Sequence, residues 1–326
     1  MRFTQRIGIW VLLISILGGL FPLQVMGSSV TAKQTEMLEV KQTALSSAKF
    51  KRKYRITLQK ALRWVENNYT MSDWQTMGII KNKGVVPEGY LENLENQVKA
   101  ANGEFSRVTD YERIIMGMSA AGGNPENVDG INLIEKLYNN PNMTAQGSSG
   151  VIFGLIALDS KKYVVPADAL WTREKLVDWL LENQKEAGSW YGNVDLTAMA
   201  LIALAPYGGE EVELAKQKAF DWLSAEQMET GGFGYFGSET SESAAQVIIA
   251  LSSNGIDPTS AAFTKSGGNV VDNLSTYQES DGGFAHIKDS GSNVMSSEQA
   301  LLAFTAYKHF VKKQERIYDF TCVPAS

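Results

Sequence analysis

Two kinds of helical pattern alternate along residues 54–313. In the first kind, tryptophan and leucine recur three or four positions apart among charged residues, as in residues 176–181 and 219–223. In the second kind, small and apolar residues follow one another almost without interruption, as in residues 195–204 and 242–251. An amphipathic helix keeps one face in water, whereas a helix that is apolar all round must be buried on most faces. The alternation therefore predicts two layers of helices, with the apolar helices inside.

A short phrase links the two kinds of pattern three times. It consists of glutamine, three variable residues, glycine, a small residue and an aromatic ring, and it spans Gln184–Trp190, Gln227–Phe233 and Gln278–Phe284. Each copy follows an amphipathic pattern and precedes an apolar one. Repetition of this kind is typical of folds built from one supersecondary unit. The unit here is an outer helix, a glycine-aromatic loop and an inner helix, with weaker copies at residues 103–105 and 147–150.

The pattern predicts twelve helices, which pair into six hairpins. Ser72, Thr109, Thr172 and Ser296 are expected to cap helix starts, because their hydroxyl groups bond the free amides of a first turn. Six hairpins can close into an inner and an outer ring, an α/α toroid, which leaves no end repeat exposed. An open helical solenoid is the alternative architecture. The helices are predicted at residues 55–68, 72–83, 89–101, 109–121, 128–139, 148–160, 172–184, 193–206, 210–227, 239–254, 265–280 and 293–313.

The two ends of the chain differ from the repeats. Residues 1–27 have the features of a signal peptide, with two arginines, a short apolar run and small residues before a cleavage point. Residues 28–53 are predicted to be a polar leader and residues 314–326 a C-terminal tail. The rest of the sequence contains no second stretch apolar enough to span a bilayer. The sequence therefore predicts an exported domain with no membrane span after cleavage of the signal peptide.

The repeated phrases resemble those of the prenyltransferase and squalene-oxidase superfamily. Gln184–Trp190 matches the glutamine-tryptophan motif of that group, and Phe233 and Phe284 replace the tryptophan in the other two copies. The resemblance implies an all-α fold, the α/α toroid of class II terpene cyclases, protein prenyltransferase β subunits, the helical domain of cobalamin carriers and complement thioester domains. Residues 109–113 and 197–207 are most similar to exported repeat proteins of Gram-positive bacteria. They imply a secreted or surface-associated bacterial protein.

Composition removes several classes of function. The chain has 30 lysine and arginine residues against 36 acidic residues, a net charge of −6, so a basic nucleic-acid interface has little material. A single cysteine, Cys322, cannot form an internal disulfide, and two histidines cannot complete a His–Cys zinc site with it. We expect no metal ion, no cofactor and no nucleic-acid partner.

The catalytic clusters of the similar families are missing from the sequence. There is no Asp-x-Asp-Asp or Asp-Asp-x-x-Asp cluster, and no cysteine within the repeats for a zinc or thioester site. Single carboxylates do stand at predicted inner-helix starts. They are either dipole-stabilising acids or catalytic acids, which a glycosidase would need as a pair about 5 to 10 Å apart. These carboxylates belong to Asp110, Glu112, Asp195, Glu242 and Glu298.

The glycine-aromatic loops carry the candidate binding residues. In one interpretation, each ring packs beneath its loop while the glutamine ties neighbouring helices together. In the other, the rings gather at one mouth of the toroid and line a pocket for an apolar or sugar-like ligand. The candidate ligand-binding residues at this mouth are Trp190, Tyr191, Asp195, Phe233, Tyr235, Glu242, Phe284 and His286.

These observations favour a secreted or cell-surface binding domain without catalytic activity. Its partner would be a small molecule, a glycan or a protein outside the cell. One alternative is an enzyme that acts on terpenes or carbohydrates through lone carboxylates. Another is corrinoid (cobalamin) binding with a partner domain, since cobalamin carriers hold their ligand between the toroid and a separate β domain.

Overall fold

The computed structural model describes residues 50–235 and 237–324. These residues belong to one compact unit, Leu45–Ser326. The predicted signal peptide, residues 1–27, and all but the last few residues of the predicted leader lie outside the described residues.

The described chain is mostly α-helical, as the sequence predicts. A π-helical turn at Phe50–Tyr54 leads into the first of twelve α-helices found in this part of the chain. None of the described helices is both long and apolar enough to cross a membrane. The helices are α1 (Arg55–Asn67), α2 (Asp73–Lys83), α3 (Tyr90–Ala100), α4 (Val108–Ala121), α5 (Leu133–Tyr138), α6 (Ser148–Asp159), α7 (Arg173–Glu182), α8 (Val194–Leu204), α9 (Glu210–Glu226), α10 (Ser241–Ser253), α11 (Val270–Ser275) and α12 (Val294–Lys312).

The β-structure of the described residues consists of three short antiparallel hairpins. Two of them extend the glycine-aromatic loops before α10 and α12, and the third precedes α11. The pairs are β1 (Gly234–Tyr235) with β2 (Ser238–Glu239), β3 (Thr264–Lys265) with β4 (Gly268–Asn269), and β5 (Phe284–Ala285) with β6 (Ser292–Asn293).

Ten of the twelve helices agree with their predicted bounds to within two residues. The predictions for α5 and α11 were wrong: both helices begin five residues later than expected, and α11 also ends five residues earlier. Before α5, Asp129 and Gly130 both adopt positive φ in a tight turn that pairs Val128 with Ile131. That backbone geometry is a hairpin turn and cannot continue into a helix. Before α11, the β3–β4 hairpin occupies the residues that periodicity assigns to the helix.

Two of the four predicted helix caps are confirmed. Ser72 accepts a hydrogen bond from the Gln75 amide at the start of α2, and Thr172 accepts one from the Lys175 amide at the start of α7. The cap at Thr109 was wrong, because α4 begins one residue before it. The cap at Ser296 was also wrong. The last helix starts two residues earlier, so Asn293 accepts from the Ser296 amide instead.

The even-numbered helices contact one another in chain order. α2 packs against α4, α4 against α6, α6 against α8, α8 against α10, and α10 against α12. The last of them, α12, also packs against α2. The odd-numbered helices lie against this set, with α1 on α12 and α2, α3 on α4, α7 on α6, α9 on α8 and α11 on α10.

Burial separates the two sets of helices. Twelve of the thirteen residues of α10 are buried, whereas only three of the ten residues of α7 are. Small residues allow the close packing of the even-numbered helices. A Cβ atom on Gly78 of α2 would lie 2.7 Å from the Leu301 side chain of α12. Glycine at this position therefore lets the first and last buried helices approach each other.

The three glutamines of the repeated phrase perform the same function. Each Nε2 atom donates to the carbonyl oxygen of the glycine in its own loop, and then to a carbonyl oxygen of the following outer segment. Gln184 reaches Ala215 at 2.8 Å and Gln227 reaches Phe263 at 2.9 Å. Gln278, in the third copy of the phrase, instead donates to the Thr57 oxygen of α1 at 2.9 Å. The glutamine that joins neighbouring repeats elsewhere thus joins the last repeat to the first helix.

We expect Gln278→Ala to lower the free energy of unfolding by about 1 to 2 kcal/mol, because two carbonyl oxygens lose their donor. Urea unfolding followed by circular dichroism measures the change. Gln217→Ala is the matched control, since this exposed glutamine donates only to Asp221, one turn away on the same helix. A loss for Gln278→Ala no larger than that of the control would contradict the bridging function.

Candidate functional site

A cavity of about 100 Å³ lies between the buried helices. Its walls come from α2, α6, α8, α10 and α12 together with the segment that follows α12. Most of the lining is apolar or aromatic, and two glutamine side chains are the exceptions. We call this space the lumen, and it is lined by Trp74, Phe153, Ile156, Met199, Ile202, Gln246, Gln299, Leu302 and Tyr318.

A second cavity of about 170 Å³ shares two walls with the lumen, the rings of Trp74 and Phe153. These rings lie 5.8 Å apart between centroids. The other walls of the second cavity come from Arg107, Thr109, Asp110 and Arg113, at the start of α4. We call it the vestibule. The aromatic pair is therefore a wall common to the apolar lumen and to the charged vestibule.

The charged walls of the vestibule are arranged as ion pairs. Arg107 binds the Asp110 carboxylate, with Nη2 3.0 Å from Oδ1. Arg113 binds the buried carboxylate of Asp73, which also accepts a hydrogen bond from Tyr90. Each guanidinium group is thus held in place by a carboxylate of the first turn of α2 or α4. Fixed hydrogen-bond donors at the edge of an apolar pocket are what orient a ligand in such sites.

The segment after α12 forms a further wall of the lumen. The Tyr318 ring packs edge-on against Trp74, with centroids 6.1 Å apart. The Phe320 amide donates to the Ser160 oxygen at 2.7 Å, and the Lys81 ammonium donates to the Asp319 oxygen. These contacts attach the segment to the C-terminal ends of α2 and α6. A smaller cavity of about 30 Å³ lies on the far side of Tyr318.

Glu242, at the start of α10, forms a polar cluster with His286, which lies in the loop between β5 and β6. The Glu242 carboxylate lies 2.8 Å from Nδ1 of His286 and accepts a hydrogen bond from the Ser296 hydroxyl. The Ser241 hydroxyl lies 3.3 Å from the same carboxylate. Glu242 is buried, while the His286 ring is half-exposed. This pair places a carboxylate behind an imidazole that water can reach.

Three further carboxyl groups, of which Glu112 and Glu298 are buried and Asp195 is partly buried, have few hydrogen-bond partners among the described residues. Burial raises the pKa of Glu298 to about 7, and its partner is the Ser72 hydroxyl at 2.6 Å. Burial also raises the pKa of Asp195, whose Oδ1 has no hydrogen-bond partner among the described residues. Glu112 is fully buried, and neither of its oxygens has a partner within the described chain. Its pKa therefore lies well above the ordinary value of a glutamate.

The aromatic rings of the three repeated phrases are fully buried. Trp190, Phe233 and Phe284 each have 0% exposed surface. The Trp190 ring donates through Nε1 to the Leu180 oxygen at 2.9 Å, and the Phe284 amide donates to the Ser297 hydroxyl at 2.8 Å. These contacts agree with the interpretation in which each ring packs beneath its loop.

The other predicted binding residues are spread over three loops. Tyr191 is exposed and adopts positive φ, and the backbone of Tyr235 lies in β1, with its side chain outside the described atoms. Asp195 and Glu242 stand at helix starts as expected, and His286 lies in the loop between β5 and β6. Of the described residues that line the lumen and the vestibule, none is among the eight predicted from sequence. Ligand binding by those eight residues stays a prediction.

Sequence reasoning missed the residues that form the lumen. A signal for two of them exists, because Gln246 and Gln299 are polar residues that directly precede the apolar runs of α10 and α12. They meet in the structure, where the Gln246 amide donates to Oε1 of Gln299 at 2.9 Å. Nothing in the sequence indicates that Tyr318 returns to the core. No group of three His, Cys, Asp or Glu side chains among the described residues could hold a metal ion.

No protein-family model matches the chain, and the search of curated proteins gave no match either. The resemblance to the prenyltransferase and squalene-oxidase superfamily therefore rests on the repeated phrases of the sequence itself.

We expect Glu298→Gln to change the pH dependence of stability. A carboxyl group with a raised pKa holds its proton in the folded state after the unfolded chain has released it, so stability falls as the pH rises from about 4.5 to about 7. The amide cannot ionise, and the variant should gain up to about 3 kcal/mol over the natural protein above this range. Urea unfolding at about pH 5 and about pH 8 measures the effect.

The control for this variant is Glu88→Gln, which replaces an exposed carboxyl group. The difference in the free energy of unfolding between the two pH values should be the same in this variant as in the natural protein. An equal pH dependence in Glu298→Gln and in the natural protein would show that Glu298 ionises in the folded state as it does in water.

Proposed function

We propose that this chain is a non-catalytic binding domain of the prenyltransferase and squalene-oxidase superfamily, built as an α/α toroid. Its ligand is a small molecule that inserts an apolar group between Trp74 and Phe153 and leaves a polar group in the vestibule. The observation that carries the proposal is an aromatic-walled lumen beside a vestibule of fixed charges, with Trp74 and Phe153 as walls of both. The signal-peptide pattern of residues 1–27 supports action outside the cytoplasm, secreted or at the cell surface.

The cycle of helix contacts supports the toroid over the open solenoid. In a solenoid, the first and last buried helices would each have one uncovered side. Here α2 and α12 contact each other, and Gln278 bonds the α1 oxygen of Thr57. A ring of six buried helices encloses a central space, and the lumen walls come from five of these six helices.

The chemistry of the lumen favours a ligand with a flat apolar part. Trp74 and Phe153 are half-buried, so both rings keep surface that a ligand can cover. An aromatic pair gains about 0.5 to 1.5 kcal/mol beyond area burial when rings stack or meet edge to face. The hydrogen bond between Gln246 and Gln299 leaves one Oε1 and one Nε2 atom without a described partner. These two atoms supply one acceptor and one donor for a polar substituent.

The size of the site favours a ligand smaller than a corrinoid. The lumen and the vestibule measure about 100 and 170 Å³. Pockets that hold drug-sized molecules measure about 300 to 1,000 Å³, whereas a cavity of about 150 Å³ accepts one benzene ring. The lumen alone is smaller than the cavity that accepts benzene, so a single ring would extend from the lumen into the vestibule. A corrinoid would have to bind outside it, with a partner domain.

We expect Met199→Trp to abolish ligand binding, because the larger side chain fills the lumen. Small aromatic and aliphatic amines and alcohols, among them benzylamine, indole and cyclohexanol, serve as probes in thermal-shift and calorimetric titrations. A bound probe at about 100 times its Kd adds about 2.7 kcal/mol to the stability of the natural protein. Met295→Trp is the control, since Met295 is half-exposed on the same type of helix.

Stabilisation by a probe that persists in Met199→Trp would place its binding site elsewhere. A loss of equal size in Met295→Trp would assign the effect to a general change in the fold. If no probe of this size binds, the proposed function is wrong.

An enzyme is the second candidate, and the buried carboxyl groups support it. Burial raises the pKa values of Asp195 and Glu298, and a general acid works best when its pKa lies near the working pH. Both acids stand at the starts of buried helices. Neither lines the lumen, which is why binding alone is the preferred proposal.

Asp195→Asn separates the two candidates. Natural protein is incubated with a prenyl diphosphate or with soluble glycans, and products are measured by mass spectrometry. The binding proposal expects no product from either protein and unchanged probe binding in the variant. Turnover that Asp195→Asn abolishes, and that the exposed-acid control Asp178→Asn retains, would establish the enzyme instead.

A further inference from the structure

We infer that a second ligand site, for a neutral saccharide, lies on the outside of the molecule between the α3–α4 loop and α5. The cleft there has a volume of about 580 Å³, several times that of the lumen. It shares no lining residue with the lumen or the vestibule. The inference therefore does not depend on the function proposed for those cavities.

Backbone turns give the cleft a fixed shape. The Asp129–Gly130 turn joins Val128 and Ile131 through two backbone hydrogen bonds of 2.8 and 3.1 Å. Opposite it, the α3–α4 loop carries Gly103 at a positive φ of 68°. A Cβ atom on Gly103 would lie 2.5 Å from the Ile131 side chain, so glycine lets the two walls meet at the base. The cleft is thus bounded by two hydrogen-bonded turns in direct contact.

Three asparagines of the cleft have their amide groups held in one orientation. Oδ1 of Asn132 accepts from the Glu135 amide at 3.0 Å, Oδ1 of Asn139 from the Leu170 amide at 3.2 Å, and Oδ1 of Asn140 from the Asn142 amide at 2.9 Å. A carboxamide whose oxygen is bound to a backbone amide has its NH₂ group fixed as well. None of the three Nδ2 atoms has a partner among the described residues. The cleft therefore presents a set of oriented donors.

The acceptors of the cleft come from two glutamates. Glu104 binds the Lys136 ammonium, and the Tyr111 hydroxyl lies 3.4 Å from its other oxygen. Glu135 is exposed and pairs with no described cation. The Tyr111 hydroxyl itself accepts from the Phe105 amide at 3.0 Å, which fixes the wall that carries Glu104.

This arrangement of donors and acceptors fits sugar hydroxyl groups. A hydroxyl group donates one hydrogen bond and accepts others, so it can bond an asparagine NH₂ group and a carboxylate together. Two carboxylates against one ammonium give the cleft a net negative charge, which disfavours phosphate and carboxylate ligands. The remaining surface, Ile131 and Pro141, offers a small apolar patch for the C–H face of a sugar ring. The cleft volume falls within the range of about 300 to 1,000 Å³ that is usual for small-molecule sites.

The test converts donors into acceptors while it keeps the fold. In Asn139→Asp and Asn140→Asp, one carboxylate oxygen still accepts from the backbone amide and the other replaces the NH₂ group. Asn124→Asp is the control, because Oδ1 of Asn124 accepts from the Glu126 amide in an exposed turn outside the cleft. Isothermal titration with cellotriose, maltotriose and chitotriose measures binding, and inorganic phosphate serves as the anionic probe.

We expect at least one trisaccharide to bind the natural protein with a Kd in the millimolar range or below. Each cleft variant should weaken this binding at least about tenfold, as the loss of one oriented donor implies. Asn124→Asp and the lumen-filling Met199→Trp should leave it unchanged. No binding of any of the three sugars, binding of phosphate alone, or equal affinity in the cleft variants would each overturn the inference. Loss of sugar binding in Met199→Trp would do so too, because it would assign the sugar to the lumen.

Discussion

The structure depends on how six helices, each with most of its residues buried, are covered. Such a helix is stable in water only when neighbours bury it on nearly every side. A row of these helices would always leave two unsatisfied ends, and the contact between α2 and α12 removes both of them. The small residues of these helices follow from the same constraint. Gly78 lies so close to Leu301 that a methyl group there would have to displace the leucine side chain.

The sequence predicts the helices well because their signals are local. Periodicity gave ten helices to within two residues, and side-chain caps gave the starts at Ser72 and Thr172. The errors in the predicted helix starts and caps also have local causes. The positive φ of Asp129 and Gly130 is a property of a turn, and apolar periodicity does not report it. Asn293 displaced Ser296 as a cap, because two acceptable residues stood three positions apart.

The candidate site was predicted poorly because its residues come together only in three dimensions. The repeated phrase suggested Trp190, Phe233 and Phe284 as binding residues. These rings are fully buried, because the repeated positions are the ones that pack each unit against its neighbours. Lumen walls are set by which side of each buried helix faces the centre. The orientation of each helix places Met199 and Gln246 in the lumen wall, while adjacent residues of similar type point elsewhere. No pattern in a single sequence predicts this orientation. The position of Tyr318 is harder still to predict, because this residue lines the lumen from a segment outside the repeats.

The bond between Gln278 and Thr57 has a consequence for how the protein folds. It joins residues 221 positions apart, and Trp64 with Asp281 and Tyr54 with Asp272 span nearly the same separation. Contacts of such long range require a large loss of chain entropy before they form. A linear array can fold by growth from any repeat, but here the final step must wait for both termini. Folding should therefore be slow and cooperative, with the first and last helices joining the native state together.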